Sequence, residues 1–381
     1  MIHCPRIWMA VVLLLAVGAP AFAQTTVNPN ISVIPRFLLS TDDGSRLPAK
    51  REFSRPDFTL DELEVAFQAY LNPYARADVF ISKSGLDDSP IEVEEAYASV
   101  LRGLPLDLNL RLGKYRTEFG KLNTLHPHAW PFISTPLSFE RFLGEEGIND
   151  VGFSVSFLVP AGDDIYSRVS VDLLRGASVT AIDPISGGLN GGPGLQDTTG
   201  AGPYYANAAR WMAFMSLSDY SDLEVGLSGL TGIHDPYHRL RFYYGNLDFK
   251  YKWKPDEYRT LVLQGEGLLN HRRVAHLQGG SGAASLKSVN SYGAYVFGDY
   301  TFHKVYSVGA RYDWTESPYS PSDRAHAAAV FIGYYPVEET MVVRLELRRT
   351  WYDPVEAPST FVNSIGLEFM FSMGPHKAHP F

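Results

Sequence analysis

Six histidines of this chain come as three close pairs: His126 and His128, His234 and His238, His271 and His276. Imidazole is a good ligand for zinc, copper and nickel. His126, His128, His234 and His238 are therefore the candidate metal ligands, with zinc the candidate ion. All three pairs fall in or beside stretches read below as long connections, which places them at one mouth of the structure. No pair has the zinc-finger or H-E-x-x-H spacing of a dedicated metal site, and solvated loop histidines are the simpler reading. A hydrolytic triad would need a serine, a histidine and an orienting acid brought together. His326 sits between alanines with no serine on an obvious matching face, and the chain has neither a G-x-S-x-G elbow nor a P-loop. The expectation is a protein that is not an enzyme, with no cofactor beyond that candidate zinc.

A second set of residues is defined by alternation. Arg76 with Asp78, and Arg111, Arg168, Arg311, Arg344 and Arg348, each stand on the polar parity of a segment whose other parity is apolar. Val343, Leu345 and Leu347 alternate with Arg344, Glu346 and Arg348, for example. Lys114, Arg116 and Lys121 stand at or just inside the longest non-repetitive connection. These ten are the candidate pore-lining and constriction residues. Their acidic counterparts include Glu62, Glu64, Glu95, Glu224, Glu266 and Glu368. Charge rings at a constriction set ion preference, and this lining mixes both signs.

The elements that must position these residues are strands. A period of two puts successive side chains on opposite faces. Such segments are read at Ile31–Ser40, Phe58–Leu71, Tyr74–Ser82, Val93–Leu101, Leu106–Tyr115, Val151–Val159, Ile165–Leu174, Ala208–Ser218, Leu223–Gly232, Leu240–Trp253, Thr260–Asn270, Val289–Phe302, Val305–Thr315, Ala325–Tyr335, Met341–Trp351 and Asn363–Met373. Tight connections such as Asn72-Pro73 and His303-Lys304 alternate throughout with long ones such as 116–150 and 175–207. An even number of strands with alternating short turns and long loops predicts an all-β fold, a transmembrane antiparallel up-and-down β-barrel of about sixteen strands. Tyr251, Trp253, Tyr312, Trp314, Tyr334, Tyr335 and Trp351 fall at strand ends, where aromatic girdles lie. Pro35 makes the first strand the weakest, because proline cannot donate to a ladder.

Residues 1–23 read as a secretory signal: Arg6, an apolar run from Ile7 to Val17, and Ala21-Phe22-Ala23 as the cleavage site. The chain has one cysteine, Cys4, which leaves with that segment, as does Arg6. What remains holds 32 basic and 42 acidic residues, a balance of −10, which argues against a nucleic-acid partner. The domain reading is 1–23 signal peptide, 24–30 short N-terminal segment, 31–373 barrel with 116–150 folded into it, and 374–381 C-terminal tail. Loop 116–150 is too rich in aromatics and proline for a floppy exposed loop, and the lumen is the nearest surface for it. The expected location is the cell outer membrane, in contact with its lipid, with a homotrimer as candidate assembly.

The strand ending Leu110-Arg-Leu-Gly-Lys-Tyr-Arg116, then Phe119-Gly120 and a long inserted loop, resembles the phosphate-selective porin O/P-like outer-membrane barrels. Asn72-Pro73-Tyr74-Ala75-Arg76-Ala77-Asp78, Glu94-Glu95-Ala96-Tyr97 and Leu122-Asn123-Thr124-Leu125-His126-Pro127-His128 resemble uncharacterised barrels labelled zinc-regulated outer-membrane receptors. The resemblance implies a sixteen-stranded outer-membrane channel. It does not extend to phosphate selectivity, which needs a lysine-rich constriction. Stretch 116–150 holds Arg116, Lys121 and Arg141 against Glu118, Glu140, Glu145, Glu146 and Asp150. Nor does it extend to TonB-coupled uptake, since only residues 24–30 precede the first strand where a plug domain would stand. The functional expectation is a channel for passive diffusion of small polar solutes or ions. The alternatives are a metal-related uptake channel using the loop histidines, and a non-conducting structural or adhesive surface barrel.

Overall fold

The computed structural model describes residues 28–44, 53–85, 89–144, 146–162, 164–181, 204–235, 239–277, 284–337, 340–355 and 357–374. The signal segment, His238 and the tail beyond Gly374 lie outside them. Sixteen strands close into one antiparallel barrel in which each pairs with its sequence neighbours and β1 pairs with β16. They are β1 Asn30–Asp42, β2 Asp57–Asn72, β3 Ala75–Lys83, β4 Glu92–Val100, β5 Asn109–Arg116, β6 Asn149–Leu158, β7 Ile165–Leu174 and β8 Ala206–Ser218. The second half is β9 Ser221–Asp235, β10 Leu240–Trp253, β11 Thr260–Leu277, β12 Ala284–Phe302, β13 Tyr306–Glu316, β14 Arg324–Val337, β15 Met341–Asp353 and β16 Thr360–Phe371.

Closure depends on β1, and Pro35 sits where it does least harm. Val33 exchanges both backbone hydrogen bonds with Met373 at 2.9 Å, and the β16 ladder resumes at Arg36 opposite Met370. Pro35 falls in the gap between them while keeping its register with Leu63 of β2. The missing N–H thus coincides with a break in the ladder.

The wall is inside-out relative to a water-soluble sheet. In β2 the inward parity carries Glu62, Glu64 and Gln68, all buried, and the outward parity carries Leu63, Val65 and Phe67. In β15 Arg344 and Glu346 are buried while Leu345 and Leu347 are exposed. Such a barrel has no edge and satisfies every strand within the sheet, which is what lipid requires. An even-stranded barrel with an apolar belt is the outer-membrane form, and the chain is an outer-membrane β-barrel. Among the described residues no helix is long and apolar enough to cross a membrane. Leu247, at the middle of β10, is 65% exposed. We predict that Leu247→Arg destabilises the reconstituted barrel by about 2–4 kcal/mol, measured as urea unfolding in bilayers. In a wet sheet the same change would be nearly neutral.

Three local features differ from what the sequence predicts. Leu106 and Asp107 belong to a 3₁₀ turn, Pro105–Asp107, rather than to β5; both have positive φ, and Leu106 is exposed. Tyr251, Trp253, Tyr312, Tyr334 and Trp351 share the outward parity, but Tyr335 stands on the inward parity of β14 and borders a lumen cavity. The β3–β4 register shifts between Phe80 and Ile81, leaving Glu94 as an extra residue between Val93 and Glu95. A bulge of this kind re-aims side chains: Val93 becomes exposed, and Glu94 and Glu95 are both buried.

The apolar core lies inside the barrel. It is built by the connection between β5 and β6, residues 117–148, which crosses the lumen. Phe119, Leu122, Trp130, Phe132, Phe139 and Phe142 of this loop pack with Tyr244, Phe297 and Phe331 of the wall. A short helix, α1 Leu137–Leu143, lies against β11 to β14. A second, α2 Ala177–Ala181, follows β7 and lies against β6 and β9.

Candidate functional site in the barrel lumen

The in-folded loop is fastened at its neck, its middle and its tip. At the neck Asn123 donates to the carbonyls of Thr117 and Ile148 at 2.7 and 3.1 Å and accepts from the Ile148 N–H at 2.8 Å. In the middle, the Gly120 N–H donates to Ser228 Oγ at 3.1 Å and the Leu122 N–H to Glu266 at 2.6 Å. Gly120 has φ +71, and a Cβ there would stand 2.1 Å from Glu266 Oε2, so this close approach to the wall requires glycine. At the tip, Ile133 N–H donates to Glu346 at 2.8 Å, and the Arg311 guanidinium donates to Ser134 O and Oγ at 2.6 and 2.8 Å.

The aromatic side of the loop fills the β10–β14 half of the lumen and leaves the opposite half polar. A cavity of about 530 Å³ on the short-turn side is lined by residues of β2 to β5 and β7 to β9 together with Lys121, Leu125, His126 and His128 of the loop. On the long-loop side a second cavity of about 470 Å³ is bordered by Ser82, Ser84, Glu92, Glu94 and Glu146. A third, of about 350 Å³, lies on the short-turn side, lined in part by Trp130, Lys250, Phe297 and Arg344. Glu94 borders the loop-side cavity and Glu95 the turn-side one, so the bulged pair on β4 stands at the boundary between them.

That boundary is a dense charged cluster. His126, held after Leu125 and before the 3₁₀ turn Pro127–Ala129, reaches between β2 and β4. Its Nε2 is 2.6 Å from Glu95 Oε1, and its Nδ1 is 2.9 Å from Glu64 Oε2 and 3.2 Å from Glu94 Oε1. His128 Nδ1 lies 3.7 Å from the same Glu64 oxygen. The Arg116 guanidinium pairs with Glu94 and donates to the Glu146 carbonyl at 2.9 Å. Burial opposes a charge on His126, but the three carboxylates outweigh it and hold its pKa well above the ordinary imidazole value. Across the cavity Glu118 accepts two bonds from Arg168, at 2.6 and 3.1 Å. Burial would raise that carboxyl; the Arg168 and Arg111 guanidiniums prevail and hold it below the usual carboxylate range. Lys121 pairs with Glu224 at 2.6 Å.

The candidate pore residues divide by position. Arg111, Arg116, Lys121 and Arg168 line the 530 Å³ cavity, with Arg111 5.0 Å over the Tyr97 ring. Arg76 pairs with Asp78 at 2.7 Å on β3. Arg344 borders the 350 Å³ cavity and pairs with Glu368 at 2.6 Å. Arg348 approaches Asp313 at 4.0 Å. Two differ from expectation. Lys114 stands outside the constriction: it borders the loop-side cavity and donates to the Val93 carbonyl at 2.7 Å. Arg311 is fully buried beneath the loop tip with Asp313 and Phe132, and holds the loop rather than lining a water path.

Among the described residues, His126, His128, His234 and His271 do not gather at a mouth. His126 and His128 are drawn into the lumen with their loop, their ring centres 5.5 Å apart. His234 is buried elsewhere, its Nε2 2.9 Å from the Arg273 carbonyl and its ring near Phe242 and Tyr319. His271 meets Asn290 on the exposed face. The residues that join His126 and His128 are acidic ones on the wall. Glu64 and Glu95 could be placed by strand parity. Glu94 could not, because the bulge that turns it inward has no sequence signal.

A closed sixteen-stranded barrel with an apolar exterior, a charged lumen and an in-folded loop defines a porin-like outer-membrane protein. No family model matches the chain. It is similar to an uncharacterised protein of Aquifex aeolicus strain VF5, 28% identical over 352 residues, covering 85% of this chain and 70% of the other. In fold it is similar to the outer membrane channel DcaP of Acinetobacter baumannii, with a TM-score of 0.58 at 12% identity over 91% of this chain and 97% of that one. It is also similar to an anion-selective porin from Comamonas acidovorans, with a TM-score of 0.54 at 10% identity over 91% and 99% of the two chains.

Proposed function

We propose that the protein is an outer-membrane channel through which small polar solutes or ions diffuse passively. The observation that carries this reading is the pair of cavities, about 470 and 530 Å³ and bordered by charged side chains, on opposite sides of the in-folded loop. A sixteen-stranded barrel is wide enough for an aqueous channel, and the loop fills one half of the lumen while charged groups line the other. Within the 530 Å³ cavity, Arg111, Arg116, Lys121, Arg168 and Arg210 face Glu64, Glu95, Glu118 and Glu224. A lining with both signs in near balance favours polar solutes of modest size over one class of ion. The fold likeness to a channel and to a porin accords with this reading. Proteoliposome swelling tests it. Vesicles carrying the protein should swell in small sugars and amino acids and stay intact in oligosaccharides; vesicles indifferent to every small solute would contradict the proposal.

A further inference from the structure

The geometry points to a divalent metal site in the lumen, formed by His126, His128, Glu64 and Glu94, for a zinc-like ion. We propose it from three observations. The first is spacing. Glu64 Oε2 lies 2.9 Å from His126 Nδ1 and 3.7 Å from His128 Nδ1, and Glu94 Oε1 lies 3.2 Å from His126 Nδ1. A tetrahedral ion with ligand bonds of about 2.0–2.1 Å keeps its donors about 3.3 Å apart. These separations bracket that value, and one donor from each of Glu64, His126 and His128 falls within 4.8 Å of the others.

The second observation is orientation. Glu95 Oε1 lies 2.6 Å from His126 Nε2. A carboxylate on one ring nitrogen fixes the tautomer and aims the lone pair of the other nitrogen at a metal. That other nitrogen, Nδ1, faces two carboxylates. Neither His126 Nδ1 nor Glu64 Oε2, which is almost wholly buried, has a partner in hydrogen-bond geometry. When the ring is protonated these two atoms form a close ion pair; when Nδ1 gives up its proton, both are free to take an ion between them.

The third observation is charge. Glu62, Glu64, Glu94 and Glu95 crowd this end of β2 and β4, while Arg116 reaches Glu94 and Arg36 reaches Glu62 at 3.9 Å. A proton on Nδ1 answers part of this excess, and a divalent ion in its place answers twice as much. Imidazole with carboxylate suits zinc, nickel or copper. Glu95 would be a positioning residue for the site, not a ligand. The site lies at the boundary between the two cavities.

The test uses the full barrel folded in detergent micelles, with Zn²⁺ as probe in calorimetry and Co²⁺ as spectroscopic reporter. We expect one Zn²⁺ per chain and an intense visible Co²⁺ spectrum of tetrahedral type. Glu64→Gln and His128→Ala should each weaken Zn²⁺ binding by at least roughly tenfold, while His234→Ala leaves it unchanged. Heat-modifiable migration on gels confirms that each variant is folded. No stoichiometric Zn²⁺ binding by the parent protein would overturn the proposal, as would binding that Glu64→Gln and His128→Ala both leave intact. Binding in micelles is read without any flux, so a barrel that admits solutes but ignores Zn²⁺ sinks this site alone.

Discussion

Replacing residues 121–146 with a short glycine-serine linker should raise single-channel conductance at least roughly threefold, because it removes what fills half of a lumen otherwise wide enough for water. The deleted segment carries Leu122, Trp130, Phe132, Phe139 and Phe142 of the internal core. The strands do not depend on it for pairing, since every neighbouring pair around the barrel is hydrogen-bonded directly. The barrel should therefore still close and insert, which heat-modifiable migration reads independently. The wall groups that fastened the loop, Glu224, Glu266, Arg311 and Glu346, would then face water and coat the widened pore. Unchanged conductance in a folded deletion variant would mean that the loop is not the constriction.

Arg311→Ala should be the most damaging single substitution inside the barrel, at about 3–5 kcal/mol. Arg311 is fully buried, donates to Asp313 at 3.0 Å and to both oxygens of Ser134, and lies 4.2 Å over the Phe132 ring. Truncation leaves the buried Asp313 with the more distant Arg348 as its cation and frees the loop tip from one of its two anchors. Unfolding midpoints in detergent should fall accordingly, and channel current should become noisier as the tip moves. The double change Arg311→Met with Asp313→Leu should recover most of the lost stability, because apolar replacements remove the stranded charge. It should not quiet the current, since Ser134 regains no donor. Arg311→Ala with parent-like stability would show that the tip does not depend on Arg311.

Strand number and face were legible because lipid outside and water inside impose a strict period of two. Leu345 and Leu347 against Arg344 and Glu346 show it within five residues. Where lipid ends, the pattern ends. β11 continues to Leu277 and β12 begins at Ala284, well past the segments 260–270 and 289–302 that alternation picks out. Beyond the bilayer an outward residue such as His271 or Asn290 can be polar, so periodicity loses its grip there. The site was legible in part. The aromatic and proline content of 117–148 points to a packed loop, and parity places Glu64 and Glu95 inward. Which wall the loop reaches is a tertiary fact: His126 lies 31 residues from Glu95 in sequence and 2.6 Å from it in space. Placing the histidine pairs in long loops at one mouth joined His126 and His128 to His234 and His238, whereas the fold joins His126 and His128 to acids on β2 and β4.

Planar-bilayer recording of the purified protein shows whether this barrel conducts. We predict discrete, long-lived steps at several salt concentrations, with conductance rising with bulk salt and a small reversal potential under a salt gradient, as a mixed-sign lining requires. A correctly folded, inserted barrel that stays silent at every salt concentration would contradict the channel and make the lumen a plugged structural core.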